Sequence, residues 1–219
     1  MSDADSTVID TFGIRNANIP QNHDWYGVPY PGMYLVDKSG RVFDKHFVSD
    51  HSVRESAHSA LQERFAVDID REGLALTVVR ATGVTARAWF TSPTIRVAQM
   101  TVLTVELELA PGLHVYGRPL PEGYIPVDLQ VDGGDDLEVK EIVYPPAQPQ
   151  NFAVIGETLP AYTGHVQIKA HCVGKAYEGR VEVQVTLRYQ ACDEIRCHLP
   201  ERIAFVLPLE VLTHDFERV

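Results

Sequence analysis

Residues 101–109 read TVLTVELEL, with apolar side chains at every second position from Leu103 to Leu109. Alternate side chains of a strand point to opposite faces of a sheet, so this pattern predicts a half-buried strand. Similar stretches lie at residues 74–79, 127–131, 137–143, 164–170, 181–190 and 202–211. Turns rich in proline and glycine separate them. Short strands at this spacing, without a helical pattern, predict an antiparallel β-sandwich.

The segment before these strands mixes helix and strand signals. MYLV at residues 33–36 is a continuous apolar run, typical of a buried strand, and RVFDKHF at residues 41–47 alternates as a second strand. The turn DKSG between them predicts a hairpin. Residues 52–65 are expected to form a helix, with Ser52 and Glu55 as a capping box.

A cluster of charged residues near 66–73 marks the expected domain boundary. It divides the chain into a first region at residues 1–66 and a β domain at residues 74–213. The fold class predicted for the whole chain is therefore mainly β.

The 219 residues carry a formal net charge of −11 at pH 7. An acidic surface repels phosphates, which argues against nucleic acid and anionic membranes as partners. No stretch approaches the roughly 18 consecutive apolar residues of a membrane span, and the acidic start MSDAD does not resemble a secretory signal. As written, the sequence predicts a cytoplasmic protein, or a periplasmic one if its N-terminus is truncated.

The spacing of the cysteines is more informative than their number, which is three. Cys192 and Cys197 flank DEIR directly after a predicted strand, so a hairpin would let them face each other at a distance that a disulfide accepts. A disulfide closing so short a loop would stabilise the fold by only about 2 kcal/mol in the chain-entropy model. A dithiol that cycles between its reduced and oxidised forms is therefore the favoured interpretation.

Two other interpretations of the pair stay open. The cysteines could form a structural or incidental bond. They could also bind zinc together with His198 and either Cys172 or His171, although the spacing is wider than in usual structural zinc sites. Cys172 itself is interpreted as a small buried hydrophobic residue. No cofactor is predicted.

The string YQACDEIRCHLP at residues 189–200 resembles the Tyr-Gln-x-Cys…Cys-x-Pro-Pro signature of the DsbD N-terminal domain family of thiol:disulfide interchange proteins. The resemblance extends over residues 74–213. It implies an immunoglobulin-like sandwich whose cysteine pair accepts electrons and passes them to other thiol proteins. Leu199 stands where the family often has proline, and the loop between the cysteines is shorter than in the best-known members. By analogy, Cys192 is expected to be the exchanging cysteine.

Two upstream segments resemble the surroundings of the family's active site. PGLHVY at residues 111–116 resembles the segment beside the cysteines, and residues 151–162 resemble a cap loop in which an aromatic side chain covers the disulfide. The residues that the resemblance places around the pair are Phe152 as the cap, Tyr116, Tyr162, Tyr189 and His114.

WYGVPYPGMYLVDKSGRV at residues 25–42 looks like the closing half of a redoxin domain, of the peroxiredoxin or thioredoxin-like kind. In that fold a proline lies beside the catalytic cysteine; Pro31 matches it and would be cis in a complete member. Residues 1–66 contain no cysteine. The resemblance therefore implies a partial thioredoxin-like α/β segment without peroxidase activity.

The sequence as a whole predicts thiol–disulfide exchange through Cys192 and Cys197, serving a redoxin or another thioredoxin-like partner protein. One alternative is a non-catalytic sandwich that binds a partner protein. The other is a fragment of a peroxiredoxin-type antioxidant enzyme.

Overall fold

The computed structural model describes residues 3, 5–47, 53–65, 74–175 and 178–212, apart from the side chains of residues 57, 58, 64 and 65. The chain divides into two compact units, Met1–Arg54 and Glu55–Val219. The boundary predicted at residues 66–73 falls outside the described residues.

Two short α-helices, one 3₁₀-helix (Gly134–Asp136) and 16 strands make up the regular structure of the described residues. The first unit contains helix α1 (Thr7–Thr11) and strands β1 (Gly32–Val36) and β2 (Val42–Phe47). A two-residue strand, β3 (Arg54–Glu55), and helix α2 (Ala57–Phe65) follow. The strands after α2 are β4 (Thr77–Ala81), β5 (Val84–Phe90), β6 (Thr94–Arg96), β7 (Gln99–Leu109), β8 (His114–Tyr116), β9 (Asp128–Asp132), β10 (Leu137–Val143), β11 (Gln148–Phe152), β12 (Glu157–Thr163), β13 (His165–Gly174), β14 (Gly179–Tyr189), β15 (Ala191–Cys192) and β16 (Glu201–Leu212). No helix among the described residues is long and apolar enough to cross a membrane.

The hairpin predicted in the first unit is confirmed, since β1 and β2 pair antiparallel. At its turn the Asp37 carboxylate accepts hydrogen bonds from the backbone N–H groups of Ser39 and Arg41, at 2.8 and 3.0 Å. Gly40 takes a φ of +83°, which side chains with a Cβ rarely adopt. The expectation of a buried first strand was wrong: only Leu35 of β1 is buried, and an isolated two-stranded sheet provides little cover for both faces.

Helix α2 starts later than predicted, at Ala57. Ser56 caps it, because its hydroxyl oxygen accepts a hydrogen bond from the backbone N–H of Ser59 at 3.1 Å. Glu55, expected in the capping box, lies in β3 instead, and Ser52 lies outside the described residues.

The described elements of the first unit are one five-residue helix and one hairpin, and they do not show a thioredoxin-like segment. Pro31 directly precedes β1. Among the described residues the recorded cis peptide bond is Arg118–Pro119, so the bond before Pro31 does not have the cis form of a complete redoxin. The redoxin resemblance stays a prediction.

The strands of the second unit form a β-sandwich, which confirms the mainly β prediction. One sheet has the order β10-β13-β7-β5-β4, and the other has the order β6-β16-β14-β9. The neighbours along these orders are antiparallel, except that β6 pairs with β16 in parallel.

Apolar side chains of both sheets meet in one core. In β14, the buried Val183, Val185 and Leu187 alternate with residues that face solvent, as the period of two predicts. The facing sheet contributes Ala86, Ala88, Val105, Leu107, Ile168 and Ala170. Full burial of one such aliphatic side chain is worth about 1.5–3 kcal/mol, so this core dominates the stability of the unit.

A smaller sheet, of order β11-β12-β8-β15, carries the predicted site. Strand β8 pairs with β12 on one side and with β15 on the other. Since β8 has three residues and β15 has two, neither is long enough to show a periodic pattern in the sequence. The pairing of β8 with β15 places His114 opposite Cys192 and Val115 opposite Ala191.

Candidate functional site

Cys192 and Cys197 form a disulfide across a tight turn. The two residues make an antiparallel bridge, and the turn is closed by hydrogen bonds from the Asp193 N–H to the Arg196 carbonyl at 2.9 Å and from the His198 N–H to the Ala191 carbonyl at 2.8 Å. The prediction that the cysteines face each other is confirmed. Their Cα atoms are 3.9 Å apart, closer than the usual 4.4–6.8 Å of a disulfide.

The side chain of Asp193 organises this turn. One of its carboxylate oxygens accepts hydrogen bonds from the backbone N–H groups of Ile195 and Arg196, both at 2.8 Å. These two bonds lower the pKa of the Asp193 carboxyl, and the nearby positive charge of Arg196 contributes a smaller effect in the same direction. A carboxylate therefore stays ionised next to the disulfide and disfavours a thiolate there.

The two cysteine residues differ sharply in their exposure to solvent. Cys192 is only 1% exposed, because it lies in β15 against β8. Cys197 is exposed, because it lies at the end of the turn and outside the strands of the small sheet. A thiol from solvent can therefore reach Cys197 and not Cys192.

An aromatic cluster covers the buried side of the disulfide. Phe152, Tyr116 and Cys192 belong to one apolar cluster, and the Phe152 and Tyr116 rings are 5.6 Å apart, edge to face. The imidazole of His114 lies 4.5 Å from the Phe152 ring and 5.1 Å from the Tyr116 ring. The structure thus brings together three of the predicted surrounding residues, with Tyr124 packed beside them.

His114 is buried without a hydrogen bond to its Nε2 atom. Its side chain is 3% exposed, and Nε2 is enclosed with no polar partner. Burial lowers the pKa of the imidazole, while the negative charge of Asp193 acts weakly in the opposite direction. A buried polar atom left without a partner costs about 1–3 kcal/mol, so this arrangement is not explained by stability.

Two predicted residues lie in the main core instead of at the disulfide. Tyr162 packs with the sandwich core, and its hydroxyl donates to the Pro145 carbonyl at 2.7 Å. Tyr189 is in the same core and hydrogen-bonds to Glu201 at 3.2 Å. Tyr162 pairs with Val115 on the face of the small sheet that packs on the core, and Tyr189 lies on β14 of a main sheet. Pro31 lies in the other unit.

Cys172 is also buried in the main core, as predicted. Burial raises the pKa of its thiol to about 12, which makes it unreactive at neutral pH. It lies in a different cluster from Cys192, and the sulfurs of Cys192 and Cys197 bond to each other. Among the described residues, no group of three or more His, Cys, Asp or Glu side chains is placed to hold a metal ion.

A cleft of about 180 Å³ opens over the exposed sulfur. Cys197, Phe152 and the turn residues line it together with Val154 and Ile155. Ile195, at the tip of the turn, is 83% exposed, and Leu199, Val154 and Ile155 are also exposed. No sequence pattern predicted these apolar residues around the disulfide. The one signal in the sequence is Ile195, an apolar residue between the charged Glu194 and Arg196 in the turn.

Phe152→Ala should speed reduction of the disulfide by dithiothreitol severalfold, because the ring packs with Cys192 and lines the cleft that leads to Cys197. Loss of the ring should also lower the free energy of unfolding by roughly 3 kcal/mol. Val154→Ala, in the turn that follows β11, is the control for stability; because its side chain is exposed, the free energy of unfolding should change by no more than about 0.5 kcal/mol. The rate of thiol release under excess dithiothreitol measures the effect. An unchanged rate in Phe152→Ala would show that the ring does not shield the bond.

Comparisons with known proteins agree with this geometry. Residues 85–208 match the family model described as the N-terminal domain of the thiol:disulfide interchange protein DsbD. No curated protein sequence gives a significant match to this chain.

Several solved structures are similar to part of the chain. The N-terminal periplasmic domain of ScsB from Proteus mirabilis is 17% identical, with a TM-score of 0.43; the match covers 65% of this chain and 54% of that one. The reduced DsbD N-terminal domain of Neisseria meningitidis is 14% identical, with a TM-score of 0.35 and coverage of 67% and 96%. The chain thus spans about half the length of the ScsB domain.

The family match covers both main sheets from β5 onward, the small sheet and both cysteines of the disulfide. It extends over more than half of the 219 residues. This chain belongs to the family of the DsbD N-terminal domain of thiol:disulfide interchange proteins.

Proposed function

We propose that this protein carries out thiol–disulfide exchange through Cys192 and Cys197. The observation that carries the proposal is the asymmetry of the disulfide, with one sulfur exposed at a cleft and the other buried under aromatic rings. A structural disulfide gains nothing from an exposed sulfur at an apolar cleft, whereas exchange requires one accessible sulfur.

In the reaction, a partner thiolate attacks the Sγ atom of Cys197. The bond between Cys197 and Cys192 breaks, its electron pair leaves with Cys192, and a mixed disulfide joins Cys197 to the partner. The partner's second thiolate then attacks the partner sulfur that is bonded to Cys197. This forms the partner's disulfide and releases Cys197, so that Cys192 and Cys197 are both reduced. Because Cys192 is buried, we assign the exchanging role to Cys197, in place of the Cys192 expected from the family analogy.

The partner that fits this site is a protein of thioredoxin-like or redoxin type. Val154, Ile155, Ile195 and Leu199 surround the exposed sulfur with apolar side chains that a protein surface can cover. A small charged thiol such as glutathione would find few polar contacts among them and would meet the negative charges of Asp193 and Glu194. The proposal therefore favours docking of a neutral or basic protein surface.

A redox titration tests the proposal. The protein is equilibrated in dithiothreitol buffers of graded potential, quenched with acid, alkylated after denaturation and weighed by mass spectrometry. We expect Cys192 and Cys197 to change together as a two-electron couple at a potential above about −300 mV, the range of labile disulfides. Cys172 should be alkylated at every potential and serves as an internal control.

Either extreme would contradict the proposal. A pair that stays reduced throughout, or stays bonded under strong reductant, does not exchange electrons, and the sandwich is then a protein-binding module. No peroxidase activity is proposed, because the sequence has no cysteine before Cys172. The cellular compartment stays a prediction.

A further inference from the structure

His114 has a place beside the disulfide that the exchange steps above do not use. In the pairing of β15 with β8, Cys192 lies directly opposite His114. Directly opposite residues of an antiparallel pair have their Cβ atoms about 4.5–5.5 Å apart on the same face of the sheet. The imidazole is therefore the titratable side chain that the pairing sets opposite Cys192.

The imidazole is also packed against two aromatic rings, and one of its nitrogens is unpaired. The rings of Phe152 and Tyr116 pack against it, at 4.5 and 5.1 Å. Its Nε2 atom is buried and has no hydrogen-bond partner while the disulfide is intact. A nitrogen that is unpaired in the oxidised protein can be paired in the reduced protein, where Cys192 carries an S–H group.

We propose, on the basis of the exchange function above, that His114 accepts the proton of the Cys192 thiol when Cys192 attacks the mixed disulfide. In that step the Cys192 S–H bond breaks and its proton passes to Nε2. The sulfur forms a bond to Cys197, and the partner sulfur leaves with the electron pair of the bond that breaks. The leaving partner thiolate takes up a proton from water and the imidazolium releases its own, so the partner disulfide is reduced to two thiols and the Cys192–Cys197 pair is oxidised. When a partner thiolate instead reduces the disulfide, the imidazolium gives the proton to the Cys192 sulfur as that sulfur leaves Cys197.

The surroundings suit this role. Burial lowers the imidazole pKa, so His114 is neutral and able to accept a proton at pH 7. The titratable groups around it are Asp193 and Glu194 of the turn and Tyr116 of its own strand. Asp193 stabilises the imidazolium once it forms. Thr163, opposite His114 on β12, carries no charge.

The test follows two release steps of 5,5′-dithiobis(2-nitrobenzoate). Reduced protein releases the first coloured thiolate when Cys197 attacks the reagent, and the second when Cys192 resolves the mixed disulfide. In the native protein we expect the second step to change much less with pH between pH 6.5 and 8 than in the His114→Gln variant, since burial lowers the pKa of the imidazole and favours its unprotonated form. In His114→Gln it should be about 10²-fold slower at pH 6.5 and rise roughly tenfold per pH unit. The first step should be unchanged, and the exposed control His165→Gln should match the native protein.

A second step that keeps its rate and pH profile in His114→Gln would overturn the inference, as would an equal slowing at every pH. A second measurement needs no variant. The His114 imidazole, followed by NMR, should titrate with a different pKa in the oxidised and reduced native protein, and identical curves would also overturn the inference. If the native protein shows no second release at all, the exchange function itself fails; a normal second release independent of His114 removes only its proton transfer.

Discussion

Cys192→Ser should form a stable mixed disulfide with a partner whose own second cysteine has been replaced, whereas Cys197→Ser should react slowly with thiol reagents. In Cys192→Ser the remaining sulfur of the pair, Cys197, is exposed at the cleft, and neither protein then keeps a thiol placed to resolve the mixed disulfide. In Cys197→Ser the remaining sulfur, Cys192, is 1% exposed and reacts only when the site opens. A local opening free energy of about 2–3 kcal/mol would slow alkylation roughly 30- to 150-fold.

The measurement is the rate of native-state alkylation by a bulky maleimide, followed by mass. Both variants should lose catalytic exchange with a partner protein. They are therefore distinguished by how readily they form a mixed disulfide and not by exchange activity. Cys172 provides the reference within each variant, because its buried thiol, with a pKa near 12, should stay unmodified. Equal rates in the two variants would show that exposure does not select the exchanging sulfur. Faster reaction of Cys192 would restore the assignment expected from the family analogy.

Phe205→Ala should lower the free energy of unfolding by about 3–5 kcal/mol, the range measured for large aromatic truncations in cores. Phe205 is 1% exposed in β16, and it packs in the core shared by the two main sheets. Its backbone pairs with Val185 of β14 midway along the long β14–β16 ladder, so the paired residues on both sides of it along the strand limit collapse of the cavity. Such a loss is a large fraction of the total stability of a typical domain.

The neighbouring residue provides the control. Val206 lies on the other face of β16 and is 48% exposed, so Val206→Ala should change stability by about 0.5 kcal/mol or less. Urea unfolding followed by tryptophan fluorescence measures both. Similar effects at the two positions would contradict the assignment of the inward and outward faces of β16.

The main strands were predictable because they are long and have one buried face. Residues 181–190 and 202–211 alternate in the sequence, and they form β14 and β16 within two residues of the expected bounds. The segment 137–143 was placed at the bounds that the structure shows for β10. In each case the core on one side and solvent on the other impose the period of two that the prediction uses.

The strands of the small sheet were not predictable in this way. Strands β8 and β15 are too short to show a period, and β11 and β12 contain Pro149 and Pro160, which read as breaks in a sequence. Strand β5 was missed although its burial alternates at its start, because Arg87 and two alanines weaken the apolar pattern. The resemblance to a family, and not periodicity, pointed to residues 111–116 and 151–162.

By itself, the sequence determined the sandwich, because the sandwich depends on local periodicity. It also determined the turn between Cys192 and Cys197 and the redox chemistry that the pair makes available, because these depend on residues only five positions apart. Only the tertiary structure decided which sulfur is exposed, why Tyr162 and Tyr189 belong to the core, and that His114 faces Cys192 with a free nitrogen. These features depend on pairing between strands that are far apart in the chain. A shift of that pairing by one residue would turn each side chain to the opposite face, and no local pattern encodes it.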